Sequence, residues 1–188
     1  MRIYPNRTSM LYEFPLNSVI AELGVYKGEF SEVLLNQCAP RELVLVDLWD
    51  SESHIASADA DGNNLEHNKG SDLCTEVMNK FFDKNNVVVI KGFTDEILKY
   101  PNDYFDVIYI DADHSYAGCK NDLKNAFQKI RNGGIISGHD YEWNFEKAKS
   151  YYEFGVKQAV DEFCEEYKQQ IAFKAMDGCV SFGIIIAK

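Results

Sequence analysis

The chain has 188 residues and 21.5 kDa, a length that favours one domain, residues 1–188, with a sizeable core. Hydrophobic residues at 46% and charged residues at 26% exclude disordered, collagen-like and coiled-coil chains. The formal charge of −11 repels phosphate backbones, and no basic patch offsets it, so nucleic acid is not an expected partner.

Residues 1–17 form an N-terminal extension without the apolar h-region of a signal peptide, and no apolar run nears the ~18–20 residues of a bilayer span. A soluble, cytoplasmic protein with no membrane partner is expected. Val19 to Leu23 reads as a strand, followed by a helix from Gly28 to Cys38 with Phe30, Val33 and Leu34 on one face. Leu43 to Val46 is a second strand. The polar stretch 50–70 is too long for a plain connector and reads as a lid or binding segment. Leu73, Val77 and Phe81 mark the next helix, Val87 to Ile90 a buried-type strand, and Thr94 the N-cap of a short helix through Tyr100. Phe105 to Ile110 is a fourth strand. The following helix carries Leu123, Ala126, Phe127 and Ile130 and ends at Asn132-Gly133-Gly134. Ile135 and Ile136 open a fifth strand, and Val156, Val160, Phe163, Cys164 and Tyr167 line a last helix. Strands Ile171 to Met176 and Cys179 to Ala187 close the chain around Asp177-Gly178, a type I′ turn signal. The expected fold is α/β: a doubly wound, mostly parallel sheet with an antiparallel C-terminal hairpin strand. The five cysteines are odd in number and form no CxxC pair, which suits reduced thiols better than zinc or disulfides.

In such sheets a ligand lies beyond the carboxyl ends of the strands. The first end reads Glu22-Leu23-Gly24-Val25-Tyr26-Lys27-Gly28. Tyr26 stands where a dinucleotide fingerprint needs its second glycine, so the turn suits a ligand without a pyrophosphate. Asp47, after the second strand, is placed to accept both hydroxyls of a ribose, with Leu48 or Trp49 against a purine. Gly92, Phe93 and Thr94 follow the third strand, where a glycine lets a flat ring approach. The fourth end, Asp111-Ala112-Asp113-His114, and the fifth, His139-Asp140, bring carboxylates and imidazoles together. Asp111 and Asp140 across adjacent strand ends suit a hard divalent cation. Alternatively, Asp111 holds an ammonium group while His114 and His139 act as bases or hydrogen-bond donors.

The strings AELGVYKGEFS, LVLVDLWD, VIKGFTDEIL, FDVIYIDADHSYAGCKNDL and GGIISGHDY occur in that order over residues 18–141. Together they resemble class I S-adenosylmethionine-dependent methyltransferases, and more narrowly the small O-methyltransferase group of the macrocin type. The resemblance implies seven strands in the order 3-2-1-4-5-7-6 and S-adenosylmethionine as cofactor. It places Glu22 and Gly24 at the methionine portion, with Ser31 at the following helix, Asp47 at the ribose, and Gly92, Phe93 and Thr94 around the adenine. Val25, Tyr26, Gly28, Leu48 and Asp111 are further expected cofactor contacts. Asp111 and Asp140 match metal-coordinating aspartates of cation-dependent members, although Tyr141 replaces the Asn ligand that follows in enzymes related to catechol O-methyltransferase.

The implied reaction moves a methyl group from the cofactor to a hydroxyl of a small-molecule acceptor, a sugar or a phenol. Mg²⁺ at Asp111 and Asp140, or His114 or His139 as general base, would promote loss of the hydroxyl proton. Residues 1–17, 50–70 and 141–152, the last with Tyr141, Trp143, Phe145, Tyr151 and Tyr152, are expected to shape acceptor choice. His54 and His67 read as solvated. Two other readings of the same fold are a non-catalytic module that binds S-adenosylmethionine or a nucleotide, and an NAD-dependent dehydrogenase. A homo-oligomer is compatible with all of them.

Overall fold

Runs of Val, Ile and Leu with no polar alternation bury a strand on both faces, and three such runs occupy the centre of the sheet. A computed structural model of the chain describes residues 1–49, 70–143 and 155–188. Its eight-stranded sheet comprises β1 (Arg2–Tyr4), β2 (Val19–Leu23), β3 (Glu42–Asp47), β4 (Val87–Lys91), β5 (Phe105–Ile110), β6 (Ile130–Trp143), β7 (Ile171–Asp177) and β8 (Cys179–Ile185). The order is β1-β7-β8-β6-β5-β2-β3-β4. Only β8 runs against its neighbours. Strands β2 to β8 therefore take the expected 3-2-1-4-5-7-6 arrangement. The expected count of seven is corrected by β1, which pairs parallel with β7 at the edge; three residues followed by Pro5 carry no readable periodicity.

Helices cover both faces. Residues Val19, Ala21, Val44, Val46, Ile108 and Ile110 pack against α4 (Tyr116–Lys129) and α5 (Val156–Glu166). Ile20, Leu43, Leu45, Val107 and Tyr109 pack on the other side with α1 (Arg7–Met10), α2 (Glu29–Cys38) and α3 (Gly70–Lys80). This is the doubly wound architecture. Strand β4 is less buried than its apolar run suggests, with Val88 39% exposed, because it lies at the sheet's edge.

Several local expectations are corrected. Helix α4 stops at Lys129 and its cap, Ile130, already pairs with Phe105; Gly133, at φ +74°, turns the chain before Ile135 pairs with Val107. Thr94 starts a 3-10 turn, Thr94–Lys99, but caps nothing: its hydroxyl donates to Asp122 Oδ1 at 2.5 Å. In the terminal hairpin only Gly178 has a positive φ, +100°, so the turn is not type I′, which requires it at both central residues.

Candidate active site

All parallel strands end on one edge, and β8, being reversed, brings its first residues there too. The turn after β2 is held by the residues after β3. Asp47 Oδ2 accepts from the backbone N–H of Val25 at 2.7 Å and Tyr26 at 2.8 Å, while Oδ1 accepts from the N–H of Trp49 at 2.8 Å. A carboxylate offers about four acceptor sites. Three are occupied by backbone N–H groups, which leaves one for a further donor in this conformation. Trp49 is fully buried and its indole N–H donates to the Tyr26 carbonyl at 2.8 Å, so it clamps the turn from below and does not face a purine. Leu48 is half-buried.

Gly24, at φ +89°, meets a second demand. A Cβ there would lie 1.9 Å from the Asp111 carbonyl oxygen, so the glycine lets the ends of β2 and β5 close on one another. Gly28 begins α2 at φ +70°. Glu22 is 2% exposed and accepts from the Ser31 hydroxyl at 2.5 Å. Burial pushes its carboxyl up to about 8, against the opposing Ser31 hydrogen bond. Both side chains are thus buried against one another at the turn. Gly92 donates to the Asp47 carbonyl at 2.9 Å, and the neighbouring Phe93 is 70% exposed.

The fourth and fifth strand ends meet. His114 Nε2 lies 3.3 Å from Asp111 Oδ1 and 3.1 Å from Asp140 Oδ2. His139 Nδ1 lies 3.2 Å from Asp140 Oδ2 and 3.9 Å from Asp111 Oδ1. Burial works against the charged form of His114, but its Asp111 hydrogen bond and the charges of Asp140, Asp111 and Asp113 outweigh it and raise the pKa. His139 is raised in the same way by Asp140 and Asp111. Burial opposes the charge of Asp140 too, yet the two imidazoles hold its pKa below the usual value. Asp113 is not in this group. It is exposed and accepts from the Ser115 N–H at 2.8 Å, at the start of α4.

The convergence of His139 and Asp140 has a backbone cause. Consecutive strand side chains point to opposite faces. Between the Gly138–Phe182 and Glu142–Val180 pairs the ladder is irregular, and Asp140 has φ +57°. A bulge of this kind re-aims side chains.

Three residues at this edge, Arg7, Cys179 and Tyr109, carried no functional signal in the sequence. Arg7 Nη1 lies 3.6 Å from Asp111 Oδ2, and the Arg7 backbone N–H donates to Asp177 Oδ2 at 2.8 Å. Cys179 joins His139 and Asp140 in a group of possible donor atoms within 4.8 Å of one another, its thiol pushed up to about 12 by burial and Asp140. The Tyr109 hydroxyl is buried without a hydrogen-bond partner among the described residues. Tyr141, expected at an acceptor, is 5% exposed; it donates to Asp161 Oδ1 at 2.6 Å and packs on Phe182. His54, His67, Phe145, Tyr151, Tyr152 and the Trp143 side chain lie outside the described residues.

The family described as "Methyltransferase domain" matches residues 21–141, the segment from β2 to the Asp140 bulge. The chain belongs to this methyltransferase-domain family. A search of curated proteins found no match. Among solved structures, the methyltransferase domain resembles Aeropyrum pernix fibrillarin in complex with natively bound S-adenosyl-L-methionine, with a TM-score of 0.64 and 14% identity over 92% of this chain and 68% of that one. A SAM-dependent methyltransferase from Aquifex aeolicus matches with a TM-score of 0.64 and 11% identity over 97% and 91%. The Bacillus subtilis M1A22 tRNA methyltransferase TrmK matches with 0.63 and 11% over 97% and 65%. At these identities the likeness is one of fold.

An adenosyl ligand fits the edge: a carboxylate with one acceptor site left at Asp47, an exposed ring at Phe93, and Asp111 beside the Gly24 turn. For a cation, Asp111, His114 and Asp140 offer donor atoms within 4.8 Å of one another, and the buried Asp140 Oδ1 has no hydrogen-bond partner among the described residues. This set is two oxygens and an imidazole nitrogen. It suits a divalent ion that accepts imidazole better than Mg²⁺, which prefers oxygen throughout.

Proposed function

We propose that this methyltransferase domain transfers the methyl group of S-adenosylmethionine to a hydroxyl of a small-molecule acceptor, a sugar or phenol. The observation that carries the reading is the Asp111–His114–Asp140 cluster beside the Gly24 turn and Asp47. The sulfonium methyl is already activated, so the protein's work is to align the acceptor oxygen and take its proton. His114, fixed between two carboxylates, accepts that proton, and Asp111 and Asp140 stabilise the imidazolium that forms. His139 sits one carboxylate away as an auxiliary proton carrier.

Two acceptor classes separate on charge. Fibrillarin and the tRNA methyltransferase TrmK share the fold. A chain of net charge −11 with carboxylates at its open edge favours an uncharged or cationic small molecule over RNA. The macrocin-type strings FDVIYIDADHSY and GGIISGHDY support the same choice. The NAD reading is weakened by Tyr26, which stands at φ +53° where a pyrophosphate needs close backbone approach.

A second reading is favoured by the unpartnered Asp140 Oδ1. Here Asp111, His114 and Asp140 would hold a divalent cation, which would supply Lewis-acid stabilisation of the acceptor oxygen, and His139 would serve as the base. Chelation distinguishes them: activity that survives EDTA supports the His114 base, and activity lost to EDTA and restored by a divalent ion supports the metal. Calorimetry tests the whole proposal. S-adenosylhomocysteine should bind and raise the melting temperature while NAD does neither; no heat and no thermal shift with saturating S-adenosylhomocysteine would overturn it. A protein that binds S-adenosylhomocysteine yet methylates no hydroxyl acceptor would be the non-catalytic module instead.

A further inference from the structure

Four carboxyl side chains, Glu22, Asp47, Asp111 and Asp140, gather at the strand ends beside the imidazoles of His114 and His139. A cation reaches them from outside the strand–helix repeat. Arg7 is the first residue of α1, and its guanidinium lies over the Phe30 ring at 4.6 Å. Phe30 in turn packs on Tyr109, with centroids 4.6 Å apart. The Arg7 backbone is anchored to Asp177, and β1 just before it is paired with β7. The side chain nonetheless remains 35% exposed.

The contact with Asp111 is one of charge. At 3.6 Å it is longer than a hydrogen bond, so the guanidinium fork still has N–H groups to direct at a ligand. Arg presents these in a plane that matches a carboxylate. The Tyr109 ring on which Phe30 packs is fully buried.

We infer that Arg7 receives the carboxylate of the amino-acid arm of S-adenosylmethionine while Asp111 faces the arm's ammonium group. This rests on the function proposed above. The arm is a zwitterion whose two charges are borne on one carbon, and Arg7 and Asp111 present the complementary pair side by side. The arm is directed there because the Gly24 turn abuts the Asp111 backbone. Without ligand, the two protein charges face one another at 3.6 Å; with ligand, each gains a partner that is itself charged.

Calorimetry on the full chain, comparing wild type, Arg7→Gln and Arg7→Lys, tests this with three ligands. S-Adenosylhomocysteine carries the whole arm, decarboxylated S-adenosylmethionine lacks only the carboxylate, and 5′-methylthioadenosine lacks both charges. Arg7→Gln should weaken S-adenosylhomocysteine by about 10- to 100-fold, the worth of a charge-assisted pair, and leave the other two ligands unchanged. Arg7→Lys should recover part of the loss. Equal weakening of all three ligands would mean a merely structural role, and an unchanged S-adenosylhomocysteine affinity would mean none; either overturns the inference. Failure of the wild type to bind S-adenosylhomocysteine defeats the proposed function itself and is seen before any variant is compared.

Discussion

His114 titrates between two carboxylates, 3.3 and 3.1 Å away, which hold its pKa above the ordinary 6.5 despite burial. As a general base it must be neutral, so turnover should rise with pH along a limb whose midpoint lies above 6.5. Asp140→Asn removes one of the charges responsible and should move that midpoint down. His114→Asn should lower kcat by about 10²- to 10⁴-fold, the usual contribution of a positioned base. A pH–rate profile of Asp140→Asn superimposable on wild type would remove His114 from the role. The sequence shows Asp111, Asp113, His114, His139 and Asp140 as equals in a short string. What separates them is geometry: Asp113 turns away to the start of α4, whereas the other four converge. Arg7 is invisible at this level because nothing in MRIYPNR links it to a residue 104 positions later.

Two short backbone irregularities build the site from regular elements. The Gly24 turn brings β2 against β5, and the bulge at Asp140 puts two neighbouring side chains on one side. Gly24→Ala introduces a Cβ 1.9 Å from the Asp111 carbonyl oxygen at φ +89°. Left-handed backbone alone costs about 1–2 kcal/mol, and the displacement of Asp111 adds to it. Chemical denaturation should show a loss on the order of 3 kcal/mol, and S-adenosylhomocysteine binding should fall with it; a variant as stable as wild type would mean the strand ends separate at no cost. The strand and helix positions were readable because each apolar run or stripe matches one periodicity. The clamp of Asp47 and Trp49 on the turn was not, since a carboxylate after a strand looks the same whether it awaits a ribose or already holds amides. Trp49 looked like a ligand-facing ring for the same reason: a sequence shows a large aromatic, not the direction it points.

For the molecule as a whole, buried acids set the pH response. Burial raises Glu22 to about 8 and, against its Thr94 hydrogen bond, Asp122 to about 7. Their stabilising effect is complete below the unfolded values, near 4, and is lost as pH rises through the folded ones. Each group contributes a slope of about 1.4 kcal/mol per pH unit within its window. The raised pKa values of His114 and His139 act with the same sign at higher pH. Stability should therefore peak on the acid side of neutrality and decline toward pH 8. Glu22→Gln, which keeps an acceptor for Ser31 but cannot ionise, should flatten that decline in thermal melts taken from pH 5 to 8.5; an unaltered slope would mean Glu22 is already ionised in the fold. The alternation of strands and helices made a mostly parallel, doubly wound sheet legible, the order 3-2-1-4-5-7-6 came only with the family resemblance, and β1, the eighth strand of the sheet, was too short to announce itself.

That eighth strand has a mechanical consequence. Arg2 to Tyr4 form the rim of the sheet, and only two residues separate them from the arginine that faces Asp111. On the inferred contact of Arg7 with the ligand, pairing of β1 with β7 should favour ligand capture and capture should favour the pairing: whatever zips the seam shut would preorganise the guanidinium, and a competing strand that peeled it open would disarm the pocket without touching it.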